Sequence, residues 1–476
     1  MKPPAVVSVV LLGAAVAPAA DWPQFRGPNA SGRCPDAAPL PADIGPDISV
    51  VWKVPLPPGH SSPAVVGDRI YLTAVRDKAH LVTIALDRAT GKALWEAEAP
   101  AKRLEQVHQI GSLAQPSPTA DADGVVVSFG SYGLIAYDRA GRVAWERPMG
   151  PFKNDFGAAS SPVIVGDQVL VSQDHDQGSF LEAIDRRTGK RVWRTDRAEF
   201  LRGFATPVVW ESGGRRQVVV AGTLRVVGYD LETGKEAWTV RGISRTVCAT
   251  PALGADGRLY VAGFSAGGDP TDRIDVPPFD EVIKTLDRNG NGKLEAAELP
   301  AGPIKQRFTQ VDLDKDGSIS KTEYERFRDL FRETKNVVLA IRPGGAGDAT
   351  DTHVAWRQTK AVPFCASPLA VGGVVFVVQD GGVLATLNGR DGQVIRRDRL
   401  EGAGGAYYAS PVAGDGKVYV VSERGRLTVV SAVGEWKELA TANFKEPVYA
   451  TPALADGRVY LRTAGHLYCF GRPVHK

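Results

Sequence analysis

The sequence predicts an all-β protein assembled from eight copies of one small sheet unit, and three observations carry that prediction. The 52 glycines and 33 prolines form about a fifth of the 476 residues, which suits many tight turns and few long helices. A Ser/Thr-Pro step, usually followed by an apolar run, recurs at Ser62-Pro63, Ser117-Pro118, Ser161-Pro162, Thr206-Pro207, Thr250-Pro251, Ser367-Pro368, Ser410-Pro411 and Thr451-Pro452. A second string, Ala85-Leu86-Asp87-Arg88-Ala89-Thr90-Gly91-Lys92 ending at Trp95, has relatives ending at Trp145, Trp193 and Trp238. With 43% hydrophobic and 23% charged residues the composition is that of a globular chain, so bulk disorder is excluded. A net charge of +3 supplies no field that would gather nucleic acid, which is not an expected partner.

The chain opens with Lys2 and an apolar stretch from Ala5 to Val16, too short to span a bilayer but long enough for the h-region of a secretory signal. Ala17-Pro18-Ala19 supplies small residues for cleavage. Residues 1–19 are therefore predicted to be a signal peptide, cut after Ala19 or alternatively Ala20, and the mature chain is expected to be secreted or periplasmic. The first cysteine is Cys34, so no lipoprotein attachment is expected, and no other apolar run approaches the length of a spanning helix. Residues 20–49 are expected to form an N-terminal arm. An oxidising compartment permits disulfides among Cys34, Cys248, Cys365 and Cys469, with three pairings open; Cys248 with Cys365, and Cys34 with Cys469, are the two considered.

The Ser/Thr-Pro steps lie 55, 44, 45, 44, 117, 43 and 41 residues apart. Within each unit the turn chemistry is explicit. In Asp185-Arg186-Arg187-Thr188-Gly189-Lys190 the Asp side chain can accept backbone N–H bonds, and Gly189 can adopt the positive φ needed before the next strand. Runs such as Val125–Ser128, Val218–Val220 and Val374–Val378 supply further strands. Four short strands in each unit of this length define a β-propeller, in which neighbouring sheets bury faces that one sheet cannot bury alone. Eight units predict eight blades, over residues 50–264 and 335–476. Trp52, Trp95, Trp145, Trp193, Trp238, Trp356 and Trp436 are expected on outer strands as wedges between blades, with Ile395 in that place in the sixth. The eighth copy, Thr451 to Phe470, ends before a fourth strand, and Val50-Val51-Trp52-Lys53-Val54 is predicted to supply it and close the ring.

The Ala-x-Asp-x-x-Thr-Gly-x-x-x-Trp pattern resembles the repeat of the PQQ-like propeller family, quinoprotein-type and BamB-like. Asp21-Trp22-Pro23-Gln24-Phe25-Arg26-Gly27-Pro28 is similar to the N-terminal segment of its exported bacterial members. The resemblance implies the fold and two branches of function. The dehydrogenase branch implies an axial pyrroloquinoline quinone (PQQ) with calcium, a carboxylate base and, in many members, a disulfide between adjacent cysteines. This chain has no Cys-Cys and no haem Cys-x-x-Cys-His string, so catalysis and PQQ are not expected. The BamB-like branch implies a non-catalytic assembly scaffold with a cell-envelope protein partner.

The interval of 117 exceeds a normal unit, and residues 265–334 are predicted to be an insertion in blade five. They contain two twelve-residue EF-hand loops, Asp287–Glu298 and Asp312–Glu323. Calcium needs six to eight oxygens, and each loop offers them at its first, third, fifth, seventh, ninth and twelfth positions. The predicted ligands are Asp287, Asn289, Asn291, the Lys293 carbonyl, Glu295 through water and Glu298, then Asp312, Asp314, Asp316, the Ser318 carbonyl, Ser320 at the water position and Glu323. Gly292 and Gly317 occupy the sharp turns. Two calcium ions are expected, the second loop binding more tightly because Asp314 and Asp316 replace Asn289 and Asn291. Phe279, Ile283 and Leu286, then Ile304, Phe308 and Val311, then Tyr324, Phe327 and Phe331 recur at helical spacing, and Pro300 and Pro303 keep the inner helices short.

Equivalent positions of a propeller stack around its axis, so the residues three before each repeated Pro are expected at one level near the channel mouth. They are His60, Gln115, Ala159, Phe204, Cys248, Cys365, Tyr408 and Tyr449, a candidate small-ligand funnel. Asp174-His175-Asp176 is read as a solvated connection. Together these features predict an exported, monomeric, calcium-binding eight-bladed propeller acting as a binding or assembly scaffold, with a quinone-dependent dehydrogenase or axial small-molecule binder as the alternative.

Overall fold

The computed structural model describes residues 20–472, apart from 35, 37, 155 and 177, so the expected signal peptide lies outside the described residues. Eight four-stranded antiparallel sheets succeed one another around an axis. The first is Ala64–Val66, Arg69–Arg76, His80–Asp87 and Ala93–Glu98. Its two middle strands are buried almost throughout and its outer strand alternates, as expected for a sheet packed on both faces near the axis and wetted at the rim. The fourth sheet gains a fifth member, Gly347–Asp348, which pairs in parallel with Glu236–Arg241 and ties blade five back to blade four.

The ring closes as the sequence predicts. Val50–Pro55 pairs antiparallel with His466–Phe470, placing Trp52 opposite Cys469 and Pro55 opposite His466. Closure is reinforced by a feature that the repeat displayed without explaining. Each Ser or Thr of the Ser/Thr-Pro step accepts, through its hydroxyl oxygen, the backbone N–H of the same residue in the preceding blade: Ser62 to Ser117, Ser117 to Ser161, Ser161 to Thr206, Thr206 to Thr250, Thr250 to Ser367, Ser367 to Ser410, Ser410 to Thr451, and Thr451 back to Ser62. All eight bonds fall between 2.9 and 3.1 Å and form an unbroken circle about the axis.

The repeated tryptophans wedge adjacent blades together. Indole N–H groups of Trp52, Trp95, Trp145, Trp193 and Trp356 donate to carbonyls of the following blade, at Arg88, Arg139, Arg186, Leu231 and Gly389. Each ring also covers the turn glycine of that blade, so the repeat's Gly serves two ends. At Gly189, φ is 69° and an added Cβ would sit 2.7 Å from the Trp145 ring. We expect Gly189→Ala to cost about 2–4 kcal/mol in urea denaturation, combining backbone strain with overpacking. Gly166→Ala, where φ is 56° and nothing lies within 4 Å, should lose only the backbone share of about 1–2 kcal/mol. Equal losses at the two sites would remove the wedge from the energetics.

Two tryptophans depart from expectation. Trp436 lies before the outer strand Glu438–Asn443, not on it, because it follows Gly434 by two residues where Trp95 follows Gly91 by four. Trp238 turns back onto its own sheet and donates to Gln217 Oε1 at 2.9 Å. Room for this comes from Gly228, which faces it where other blades place Ala85, Ala136 and Ala183. Trp210 takes over the contact with the next blade, donating to the Gly257 carbonyl. Ile395 fills the wedge place of the sixth blade, against Gly434.

The N-terminal arm crosses the ring at one level. Trp22 exchanges backbone bonds with Val65, Pro23 accepts from Ala120, the Asn29 side chain brackets Val209, and Gly32 and Cys34 flank Ala413. All four partners lie two residues beyond the Pro of their blade's Ser/Thr-Pro step, so the arm spans the axis just beyond the hydroxyl circle. Trp22 and Arg26 are fully buried there, and Arg26 donates to the Pro368 carbonyl at 2.6 Å.

Blade five pairs Ala252–Leu253, Leu259–Gly263, Val337–Ile341 and Val354–Gln358. Between its second and third strands the chain leaves to form α1 (Phe279–Leu286), α2 (Pro303–Gln306), α3 (Phe308–Val311) and α4 (Lys321–Glu333). Phe279, Leu294, Val311, Ile319, Tyr324, Phe327 and Phe331 form a separate core for this excursion. α4 starts with a capping box in which Ser320 and Glu323 satisfy each other's backbone N–H groups.

Candidate functional sites: the acidic loops and the axial cavity

The two acidic loops are joined by a short antiparallel bridge, with Leu294 opposite Ile319 and Glu295 opposite Ser318. In the first loop Asp287 accepts from the N–H groups of Gly290 and Gly292, and Glu298 accepts from Arg288 and Glu295. The Asn289 and Asn291 amides donate to Glu295, drawing that carboxylate toward themselves. In the second loop Asp312 accepts from Gly317, while Glu323 accepts from Leu313 and Ser320. Carboxylate oxygens of Asp312, Asp314 and Glu323 converge within 4.8 Å of one another. One oxygen of Asp312 is buried without a protein partner, which a hard cation would satisfy. Among the described residues no comparable trio gathers in the first loop, where two amides stand in place of acids. Lys293 pairs across the loops with Asp316 and holds that carboxyl down at about 2.

On the axis, all eight funnel positions line one cavity of about 410 Å³. His60 stacks on Tyr449 with ring centroids 4.0 Å apart, and Tyr449 stacks on Tyr408 at 5.7 Å. Gln115 donates to the Phe156 carbonyl at 2.6 Å, and Phe156 meets Phe204 edge to face. Ala159 contributes only a methyl group to the wall. Burial and the nearby Arg462 guanidinium push the His60 imidazole down to about 3, so it is neutral at physiological pH. Cys365 lies against Cys248, and that contact together with burial raises its thiol well above the ordinary range.

Neither considered disulfide is present: all four cysteines are free. Cys34 does reach the last blade, but its thiol donates to the Leu454 carbonyl at 3.3 Å, while Cys469 is buried on the strand that receives Trp52. The Asp174-His175-Asp176 segment is buried and not solvated. Arg197, itself fully buried, clamps Asp174 through two bonds of 2.8 and 2.7 Å, and Arg202 holds Asp176 at 2.7 Å. These pairs neutralise both acids, and the His175 ring packs on Phe152, so the cluster belongs to the framework.

Several lining residues had no sequence signal. Phe25 comes from the N-terminal arm, Arg245 from the approach to blade five, and Arg307 and Gln310 from the inserted helices. None occupies a repeated position, so stacking of equivalent sites could not find them.

Comparison with known proteins agrees with this architecture. A family model described as outer membrane protein assembly factor BamB matches residues 46–180, 177–276 and 345–432, and an EF-hand model matches residues 304–327. The chain is 25% identical over 375 residues to the outer membrane protein assembly factor BamB of Yersinia pestis, covering 77% of this chain and 83% of that one. Over 80 residues it is 31% identical to the probable calcium-binding protein CML29 of Arabidopsis thaliana, covering 15% of this chain and 96% of the relative. The crystal structure of BamB from Moraxella catarrhalis superposes with a TM-score of 0.56 at 14% identity, covering 89% of this chain and 99% of that chain. Because the matched segments take in most of the wheel and leave out most of the helical excursion, the chain is a member of the BamB-type propeller family that carries an EF hand within its fifth blade.

Proposed function

We propose that the protein is an exported, monomeric, calcium-binding propeller that acts as a non-catalytic binding and assembly scaffold in the cell envelope, holding a protein partner on its loop-rich faces. Residues 20–49 serve as the arm, 265–334 as the calcium module, and 50–264 with 335–476 as the wheel. Family membership supports the scaffold class, since the matched relatives are named as outer membrane assembly factors. Among the described residues no helix is long and apolar enough to cross a membrane.

The observation that carries the scaffold reading is the match of the BamB family model over most of the wheel, and the state of the axial groups accords with it. His60 is desolvated and stacked, so it is a poor base at neutral pH, and Cys365 is held as a thiol. Two calcium ions are assigned to the loops, with Asp287, Asn289, Asn291, Lys293, Glu295 and Glu298 around one and Asp312, Asp314, Asp316, Ser318, Ser320 and Glu323 around the other. Each ion would supply charge neutralisation that locks the excursion's fold, a structural role suited to an extracellular calcium level.

The test is cross-linking in the native envelope, followed by purification with calcium or with chelator. One envelope protein should be retained in fixed ratio to the propeller. Dye-linked alcohol oxidation after adding PQQ and calcium should stay at background. A chain that elutes alone and reduces the dye would replace the scaffold with the dehydrogenase.

A further inference from the structure

Three features of the axial cavity go unused by a scaffold. The first is its hydroxyl ring. Ser62, Ser117, Ser161, Thr206, Thr250, Ser367, Ser410 and Thr451 all line the cavity. Each oxygen accepts one backbone N–H, and no described protein group takes its proton, so eight O–H donors remain for whatever fills the space. The second is Arg245, which donates to the Ala266 carbonyl at 3.2 Å and packs over the Phe331 ring at 4.5 Å. It has no carboxylate partner among the described residues, and its Nε is buried without a bond. Burial and the neighbouring Arg307 and Arg202 push its guanidinium down to about 10, still charged at neutral pH.

The third is the composition of the walls. No described lining residue is Asp or Glu. Glu105, which accepts from the N–H of Ala158 behind the wall, is raised by burial to about 8 and so is mostly neutral at physiological pH. Phe156, Phe204, Phe264, Phe364, Tyr408 and Tyr449 supply apolar faces. A volume of about 410 Å³ is of the size that holds a small molecule.

We infer that the axial cavity binds a small organic anion with an apolar body, held by Arg245 and the hydroxyl ring, and that the inserted module completes its wall through Arg307 and Gln310. Hydroxyl and guanidinium donors with no acid among them favour a carboxylate or phosphate over a neutral ligand of equal shape. Gln310 lies in α3, two residues ahead of Asp312, the first position of the second loop. Ordering of that loop therefore also fixes one side of the cavity, a coupling that rests on the calcium assignment above.

Calorimetry on the full mature chain, with about 1 mM calcium, would compare naphthalene-2-carboxylate with its neutral amide. The acid should bind at least about tenfold more tightly, the worth of one charge-assisted hydrogen bond. Arg245→Gln should erase that preference and Arg245→Lys should retain most of it, which separates lost charge from lost packing against Phe331. Equal binding of acid and amide, or a preference unchanged in Arg245→Gln, would overturn the anion site. Chelation should weaken the acid at least about threefold. Calcium titrated into the same sample separates the two failures. Bound calcium with no effect on the acid defeats the coupling, whereas no bound calcium with the acid preference intact defeats the calcium assignment and the coupling but leaves the anion site standing.

Discussion

A chain beginning at residue 60 is expected to lose cooperative folding. That truncation removes the strand Val50–Pro55 and exposes the backbone edge of His466–Phe470, whose Leu467, Tyr468, Cys469 and Phe470 are among the most buried residues of the wheel. It also removes Trp22, Leu40, Ile44 and Leu56 from the core shared by the first, seventh and eighth blades. At about 1.5–3 kcal/mol for each large apolar side chain, this is roughly 6–12 kcal/mol, against a total stability of about 5–15 kcal/mol. Arg462 loses its bond to the Pro57 carbonyl while staying buried against Ser61 and Thr73. Circular dichroism of a chain starting at residue 20 should show one sharp melting transition, and the shorter chain a broad one or none. A truncated chain melting within a few degrees of the longer one would show that the wheel closes without its N-terminal strand.

The second large effect concerns the acidic loops. Calorimetry with calcium should resolve two sites, the tighter belonging to Asp312–Glu323, where three carboxylates already converge. Glu323→Gln should abolish the tighter site and leave the other, and Glu298→Gln the reverse. At a calcium concentration 100 times the dissociation constant, each occupied site contributes about 2.7 kcal/mol by mass action. The double variant should therefore lose the calcium-dependent part of its melting temperature while keeping the melting of the wheel in chelator. A higher affinity at Asp287–Glu298 would mean that the carboxylate count does not rank the loops.

The wheel was legible in the sequence because its signals are periodic. The Ser/Thr-Pro steps gave eight blades, the short final copy pointed to Val50–Val54, and the residues three before each Pro do meet at one cavity. What stayed hidden was chemistry between residues far apart along the chain. The step's hydroxyl could be seen to repeat, yet its acceptor role appears only when Thr451 is found donating to Ser62. Spacing also carried the clue to Trp436, two residues after its glycine, and the Gly228 variation carried the clue to Trp238. Asp174 and Asp176 looked solvated because their arginine partners lie more than 20 residues downstream. Arg245, Arg307 and Phe25 have no counterparts in other blades, so only the folded chain brings them to the axis.

The bond from the Thr250 N–H to the Ser367 hydroxyl bridges 117 residues and measures 3.0 Å, the same as the bond from Thr206 to Thr250 across 44. An entire helical unit thus enters the chain without stretching the circle. The loop between second and third strands is in effect a socket. A recombinant in which a foreign compact unit replaces residues 265–334 should still assemble, which makes this architecture a natural chassis for acquiring new modules by gene fusion.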